Sequence, residues 1–242
     1  MARFTKIAHR GASGNYPENT RLAFERAIAT CVDMIELDCQ LTADGHVVVF
    51  HDERLRRTAG SRGTVGAKTL DQLKALDIGR WRKKSYRGER ILTLEEAVSL
   101  LGGQVDLCVD IKCFPDSPQG IEIKLLFILS HYDYLDRTLF SSFDYRCLRR
   151  VRELAPESRI AVIFGSGVGE DPFHAAKHLG AVAIHVQKEL ATRDFLHRAW
   201  EEGLDVCVWT VNELRDMKKF ALLGVQGMVS DFPEKFKLLR GV

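Results

Sequence analysis

No stretch of this 242-residue chain approaches the roughly 18 consecutive apolar residues that a membrane-spanning helix needs. The opening residues, Met1-Ala2-Arg3-Phe4-Thr5-Lys6, contain no apolar h-region of a secretion signal, so a cytoplasmic location is expected. An excess of one charge is also missing. Lys and Arg number 35 against 33 Asp and Glu, a formal net charge of +2 that is too mild for a nucleic-acid binder. No Cys-x-x-Cys pair occurs among the cysteines at 31, 39, 108, 113, 147 and 207. They read as buried free thiols acting as small hydrophobes, not as a disulfide scaffold. The first apolar run is not followed by Gly-x-Gly-x-x-Gly, which argues against a dinucleotide-binding fold. Internal repeats, low-complexity tracts and linkers are absent too, so one domain over residues 1–242 is expected.

What is present is polar chemistry at the ends of apolar runs. The runs Phe4–Ala8, Val32–Leu37 and Val47–Phe50 read as buried strands. They lead into His9-Arg10-Gly11, Glu36-x-Asp38 and His51-Asp52. A strand that only fills a core has no need of such an ending. Three in succession point to one site on the face where strand ends meet.

Later strand candidates are Val105–Ile111, Leu139–Phe143, Ile160–Phe164, Val182–Val186, Val206–Thr210 and Gly227–Ser230. Helical candidates alternate with them, from Thr20–Thr30 through Thr93–Leu101, Gly120–His131, Tyr145–Leu154, Pro172–Leu179, Thr192–Glu202 and Asn212–Leu222. Thr93 precedes Glu96 in a capping pattern, and Asn212 is a cap candidate for the last helix. The alternation indicates a parallel α/β sheet, and the length suits a closed (β/α)8 barrel. Nine strand candidates compete for eight barrel positions. The second connection is also unusual, because Thr42-Ala43-Asp44-Gly45 signals a turn with no helix behind it. If the second and third strands are parallel, residues 39–46 must run back down the barrel as extended chain. Residues 53–92 read as an insertion after the third strand, placed over the barrel mouth. Its basic run Arg80-Trp81-Arg82-Lys83-Lys84 is either a lipid-headgroup contact or a solvated loop.

Side chains alternate along a strand, so Glu36 and Asp38 face the same way, into the barrel. Two buried carboxylates need a cation. One divalent ion with oxygen ligands, Mg²⁺ or Ca²⁺, would serve, and so would Arg or Lys. Asp110-Ile111-Lys112 ends a later strand and offers a third carboxylate with a fixed cation, or an ion pair between neighbouring strands. His9 and His51 are candidates for a general acid/base pair. Arg10 suits a phosphate. Together these groups describe a site that hydrolyses a phosphate ester.

The chain resembles the glycerophosphodiester phosphodiesterases. The resemblance rests on Ala8-His9-Arg10-Gly11, Pro17-Glu18-Asn19-Thr20, Ile35-Glu36-Leu37-Asp38, Thr42-Ala43-Asp44-Gly45 and Val49-Phe50-His51-Asp52. It continues through Leu55-x-x-Thr58, Asp110-Ile111-Lys112, Val208-Trp209-Thr210-Val211-Asn212 and Ser230-Asp231-Phe232-Pro233. It implies a phospholipase-C-like TIM barrel that hydrolyses glycerophosphodiesters to sn-glycerol 3-phosphate and an alcohol. By motif, His9 and His51 are the acid/base pair and Glu36, Asp38 and Asp110 the metal ligands. Arg10 and Lys112 contact phosphate. Trp209 flanks the glycerol or alcohol, or packs the barrel mouth. Asn19 and Asp231 are given structural roles, capping and loop bracing. The family usually has Glu where this chain has Asp110, which reaches about one carbon–carbon bond less and so favours a water bridge or another metal preference. Two rival readings keep the barrel. A lysophospholipase D would show a continuous apolar wall in the insertion, beyond Ile78, Trp81 and Tyr86. A silent phosphate-ester binder would have lost a histidine or the Glu-x-Asp pair. A small-molecule substrate is the expected partner of a monomer or a homodimer, with no nucleic acid or stable membrane insertion.

Overall fold

In the computed structural model, which describes residues 4–115 and 117–239, the apolar runs close into a ring. Met1–Arg3, on which part of the location argument rests, lie outside the described residues. The chain begins with β1 (Thr5–His9), α1 (Arg21–Ile28), β2 (Met34–Leu41) and β3 (Val47–Val49). Short helices α2 (Arg56–Ala59) and α3 (Leu70–Lys74) follow, then β4 (Leu92–Thr93) and α4 (Leu94–Leu101). Regular alternation starts with β5 (Asp106–Ile111), α5 (Ile121–His131), β6 (Thr138–Ser142) and α6 (Tyr145–Leu154). It continues through β7 (Arg159–Phe164), α7 (Pro172–Leu179) and β8 (Ala183–Gln187). It ends with α8 (Arg193–Glu201), β9 (Asp205–Trp209), α9 (Leu214–Leu222) and β10 (Gly227–Ser230).

Strands pair in the order β1-β10-β9-β8-β7-β6-β5-β2, and β1 pairs with β2 to close the barrel. Every pair in this ring is parallel. The fold is therefore the expected eight-stranded parallel barrel with helices between strands.

The surplus ninth strand is Val47–Phe50. The parallel arrangement weighed for it does not occur: β3 runs antiparallel to the end of β2, with Leu41 opposite Val47 and Cys39 opposite Val49. β2 is longer than its apolar run suggested. It climbs out of the ring, turns at Thr42–Gly45 and returns as β3. The turn is tied by Thr42 Oγ1, which donates to Asp44 Oδ1 and accepts from the His46 amide. An antiparallel hairpin needs only such a turn, which explains the missing helix.

The helices pack their apolar faces on the outside of the barrel. The lumen is sealed by one side chain from each ring strand: Ile7, Met34, Cys108, Leu139, Ala161, Ala183, Cys207 and Val229. Such a layer is a packed floor, not a pore. Residues between β3 and β4 form their own small core of Val48, Phe50, Leu55, Val65, Leu73, Ile78 and Ile91. Thr93 caps α4 as the sequence suggests, and Thr20 caps α1; the hydroxyl of each accepts from a backbone amide of the first turn. Asn212 does not cap α9, which follows Glu213; its side chain is engaged by Asp231 instead.

The expectation of six free thiols needs correction. Cys113 and Cys147 form a disulfide, because the chain leaving β5 passes the start of α6. Cys31 is exposed, whereas Cys39, Cys108 and Cys207 are buried free thiols.

Candidate active site

Two residues above the sealing layer, period-two alternation puts the next inward side chains on the barrel's carboxyl end. These are His9, Glu36, Asp110, Ser141, Ile163, His185, Trp209 and Asp231. Asp38 stands one step higher on β2. A cavity of 210 Å³ lies here, lined among others by His9, Arg10, Glu36, His51, Asp110, Lys112, His185 and Trp209. A larger groove of 1280 Å³ adjoins it and shares His51, Asp110, Lys112 and Phe143.

Gly11 allows the first motif to turn. Its φ is +80°, and a Cβ there would lie 2.7 Å from the Ala23 carbonyl. Arg10 before it also adopts a positive φ, 53°. That turn brings the Arg10 amide to Glu36 Oε2 (2.9 Å), while the guanidinium reaches Glu18 (2.9 Å) and Asp38 (3.3 Å). Asn19, in the left-handed region at φ 57°, donates to Asp38 Oδ2 at 2.8 Å.

Glu36, Asp38 and Asp110 are all buried, and ligand atoms from the three lie within 4.8 Å of one another. The β2–β5 register sets Asp38 directly beside Asp110. Lys112 lies 2.5 Å from Asp110 and 3.0 Å from Asp38, so the ion pair between neighbouring strands is present as well. Three carboxylates thus face two fixed cations, Arg10 and Lys112. Burial, with Asp38 alongside, raises Glu36 to about 7. Burial would raise Asp38 too, but Lys112 and Arg10 hold it below the ordinary range. Asp110 Oδ1 is buried with no hydrogen-bond partner. An all-oxygen set with an orphaned carboxylate oxygen and surplus negative charge fits a hard divalent cation.

The imidazoles are each braced at Nδ1 by a carboxylate. Asp231 Oδ1 lies 2.6 Å from His9, and Asp52 Oδ1 lies 2.7 Å from His51. A carboxylate only accepts, so Nδ1 carries the proton and Nε2 is left for chemistry. Burial disfavours a charged His9, yet Asp231 and Glu36 outweigh it and raise its pKa. For His51 burial dominates and lowers it. Asp231 is held at about 2, against the effect of burial, chiefly by the bond from His9.

His51 does not crown a barrel strand; the returning hairpin lowers it onto the mouth. The Phe50 amide donates to the Asp38 carbonyl at 2.9 Å, which fixes that height. Trp209 lines the cavity and packs edge-on against Phe143, with ring centroids 5.7 Å apart.

A sequence model of the glycerophosphoryl diester phosphodiesterase family matches residues 9–235. The chain belongs to this family. It is 38% identical over 229 residues to a glycerophosphodiester phosphodiesterase of Caldanaerobacter subterraneus subsp. tengcongensis, with 94% of each chain covered. It is 34% identical over 245 residues to a glycerophosphodiester phosphodiesterase of Bacillus altitudinis, covering 98% of both. Among solved structures, an Oleispira antarctica phosphodiesterase in complex with the product sn-glycerol-3-phosphate matches with a TM-score of 0.89 at 28% identity. That match covers 97% of this chain and 96% of the other. As a member of the glycerophosphodiesterase family the chain is an enzyme, a phosphoric diester hydrolase.

All eight site residues expected of a glycerophosphodiesterase from the sequence converge on this mouth: His9, Arg10, Glu36, Asp38, His51, Asp110, Lys112 and Trp209. Four others were missed or undervalued. Asp231 and Asn19 do more than brace loops, since each touches a site side chain directly. Glu18 and Arg57 carry the ion pairs that surround Arg10 and Asp52. The signal for Asp231 was available, because Ser230-Asp231 ends an apolar run just as Glu36 and Asp110 do. The basic run 80–84 is exposed, apart from contacts such as that from Arg82 to the Gly14 carbonyl. No helix among the described residues is long and apolar enough to cross a membrane.

Proposed function

We propose that this enzyme hydrolyses glycerophosphodiesters to sn-glycerol 3-phosphate and an alcohol, using His9 and His51 as the acid/base pair. One divalent ion, Mg²⁺ or Ca²⁺, would be held by Glu36, Asp38 and Asp110. The observation that carries the reading is the convergence of two carboxylate-braced imidazoles and three buried carboxylates on one small cavity. The related Oleispira protein, described with sn-glycerol-3-phosphate as its product, supports the choice of substrate.

When bound, the ion supplies positive charge that stabilises the phosphoryl oxygens as charge builds. Arg10 and Lys112 add fixed charge at the same place, and both are held charged by the carboxylates around them despite burial. The two Nε2 atoms, with Nδ1 protons committed to Asp231 and Asp52, take a proton from the attacking hydroxyl and return one to the leaving alkoxide. Trp209 and Phe143 provide an apolar wall for the carbon skeleton.

The lysophospholipid alternative is not favoured. Ile78 is 1% exposed and belongs to the insertion's own core, so Ile78, Trp81 and Tyr86 do not form a continuous apolar wall.

The test is a turnover panel of glycerophosphocholine, glycerophosphoethanolamine, glycerophosphoinositol and lysophosphatidylcholine, with EDTA and then Mg²⁺ or Ca²⁺ add-back. Hydrolysis of the three glycerophosphodiesters, abolished by EDTA and restored by one ion, is the expected result. Activity indifferent to EDTA would remove the carboxylates from the proposed metal site.

A further inference from the structure

Arg57 touches none of the eight residues assigned above, yet it binds the partners of two of them. Its Nε and one terminal nitrogen donate to both oxygens of Asp52, at 2.6 and 2.9 Å. Its two terminal nitrogens donate to both oxygens of Glu18, at 2.7 Å each. Asp52 is the carboxylate on His51, and Glu18 is the carboxylate on Arg10. An unbroken chain of charge-assisted bonds therefore runs from His51 through Asp52, Arg57 and Glu18 to Arg10.

We propose that Arg57 is a positioning residue for catalysis, setting at once the aim of His51 and the charge that Arg10 offers to phosphate. Each end works by a separate physical argument. Asp52 alone could rotate about its side chain and would favour a charged imidazole; gripped in a planar two-point fork, it is both oriented and largely neutralised. Glu18 alone would consume much of the Arg10 charge. With Arg57 sharing it, two guanidinium groups face Glu18, and Arg10 keeps charge for an anionic substrate.

The geometry explains why arginine stands here. A lysine ammonium is a point charge and cannot form two parallel pairs of bonds to two carboxylates. The Trp81 ring lies 5.6 Å from the Arg57 guanidinium carbon and limits its movement on the outer side. Arg57 and Trp81 both lie between β3 and β4, so this assigns the inserted region a part in catalysis. Groups that act on His51 besides Asp52 are Asp38, Lys112 and Arg10.

The inference rests on the glycerophosphodiesterase reading, and one experiment separates the two. Arg57→Gln, Arg57→Lys and wild type are compared on glycerophosphocholine across pH, with saturating divalent ion and melting curves for each protein. In Arg57→Gln, kcat is expected to fall about 10- to 100-fold with KM changed less than about threefold. The limb of the pH profile belonging to His51 is expected to move to higher pH, since Asp52 is no longer neutralised from outside. Arg57→Lys restores the limb but only part of kcat. An unshifted profile in both variants, with any loss matched by a lowered melting temperature, would overturn the proposal and leave a structural ion pair. Should Arg57→Gln not fold, Arg57→Lys with wild-type kcat would overturn it equally. Wild type inactive on every glycerophosphodiester would sink the substrate reading first, and this inference with it.

Discussion

His9 opens the described barrel and Asp231 closes it, and their side chains meet at 2.6 Å across the seam where β1 pairs with β10. Asp231 is itself clamped, accepting from Asn212 Nδ2 at 2.6 Å and from Ser13 Oγ at 3.1 Å. The imidazole tautomer thus depends on the last ring strand.

Replacing Asp231 with Asn keeps the shape but offers His9 an amide that can donate. The expected loss is about 10²-fold or more in kcat, with the melting temperature nearly unchanged. Steady-state kinetics beside a thermal melt checks it; wild-type turnover would show that the seam contact is not used.

Asp110→Ala leaves Glu36 and Asp38 with Lys112 bound to Asp38 alone. Divalent-ion affinity, measured by calorimetry on ion-free protein, is expected to drop by at least about tenfold. Unchanged affinity would remove Asp110 from the ligand set.

His185 is 3% exposed, and burial lowers its pKa to about 4 from 6.5. In the unfolded chain it takes up a proton below about pH 6.5, whereas in the native protein it stays neutral down to about pH 4. Its contribution to stability is therefore intact above pH 6.5 and is lost as pH falls towards 4. Wild type should lose roughly 3 kcal/mol relative to His185→Gln over that window. Urea titrations of both proteins at several pH values test it, and parallel curves would refute it.

Leu55 is fully buried in the core between β3 and β4. Leu55→Ala should cost roughly 2–5 kcal/mol if that small core folds cooperatively with the barrel. A lone early transition in the melt would instead mark the inserted region as separately unfolding.

The ring strands were legible because each is a short apolar run, and the site because its polar residues end those runs. Strand direction was not legible. Val47–Val49 is as apolar as any parallel strand, and nothing in its composition distinguishes a hairpin return; only the turn at Thr42–Gly45 hinted at it. Partnerships were harder still. His9 and Asp231 are 222 residues apart in the chain, and Cys113 and Cys147 are brought together only by ring closure and helix placement. Period-two counting from the sealing layer does recover His185, Trp209 and Asp231, but the count needs the ring register to start from.

The hairpin has a consequence for how such a protein can diversify. Residues 50–91 leave from β3 and return through β4, which pair directly, with Val49 opposite Leu92. Neither strand belongs to the closed ring. Apart from His51, Asp52 and Arg57, the segment between them is held like a book between two bookends, so its length and contents can be exchanged without changing any ring register. Novelty in what the enzyme accepts can accumulate there while the barrel, with its carboxylates, stays as it is.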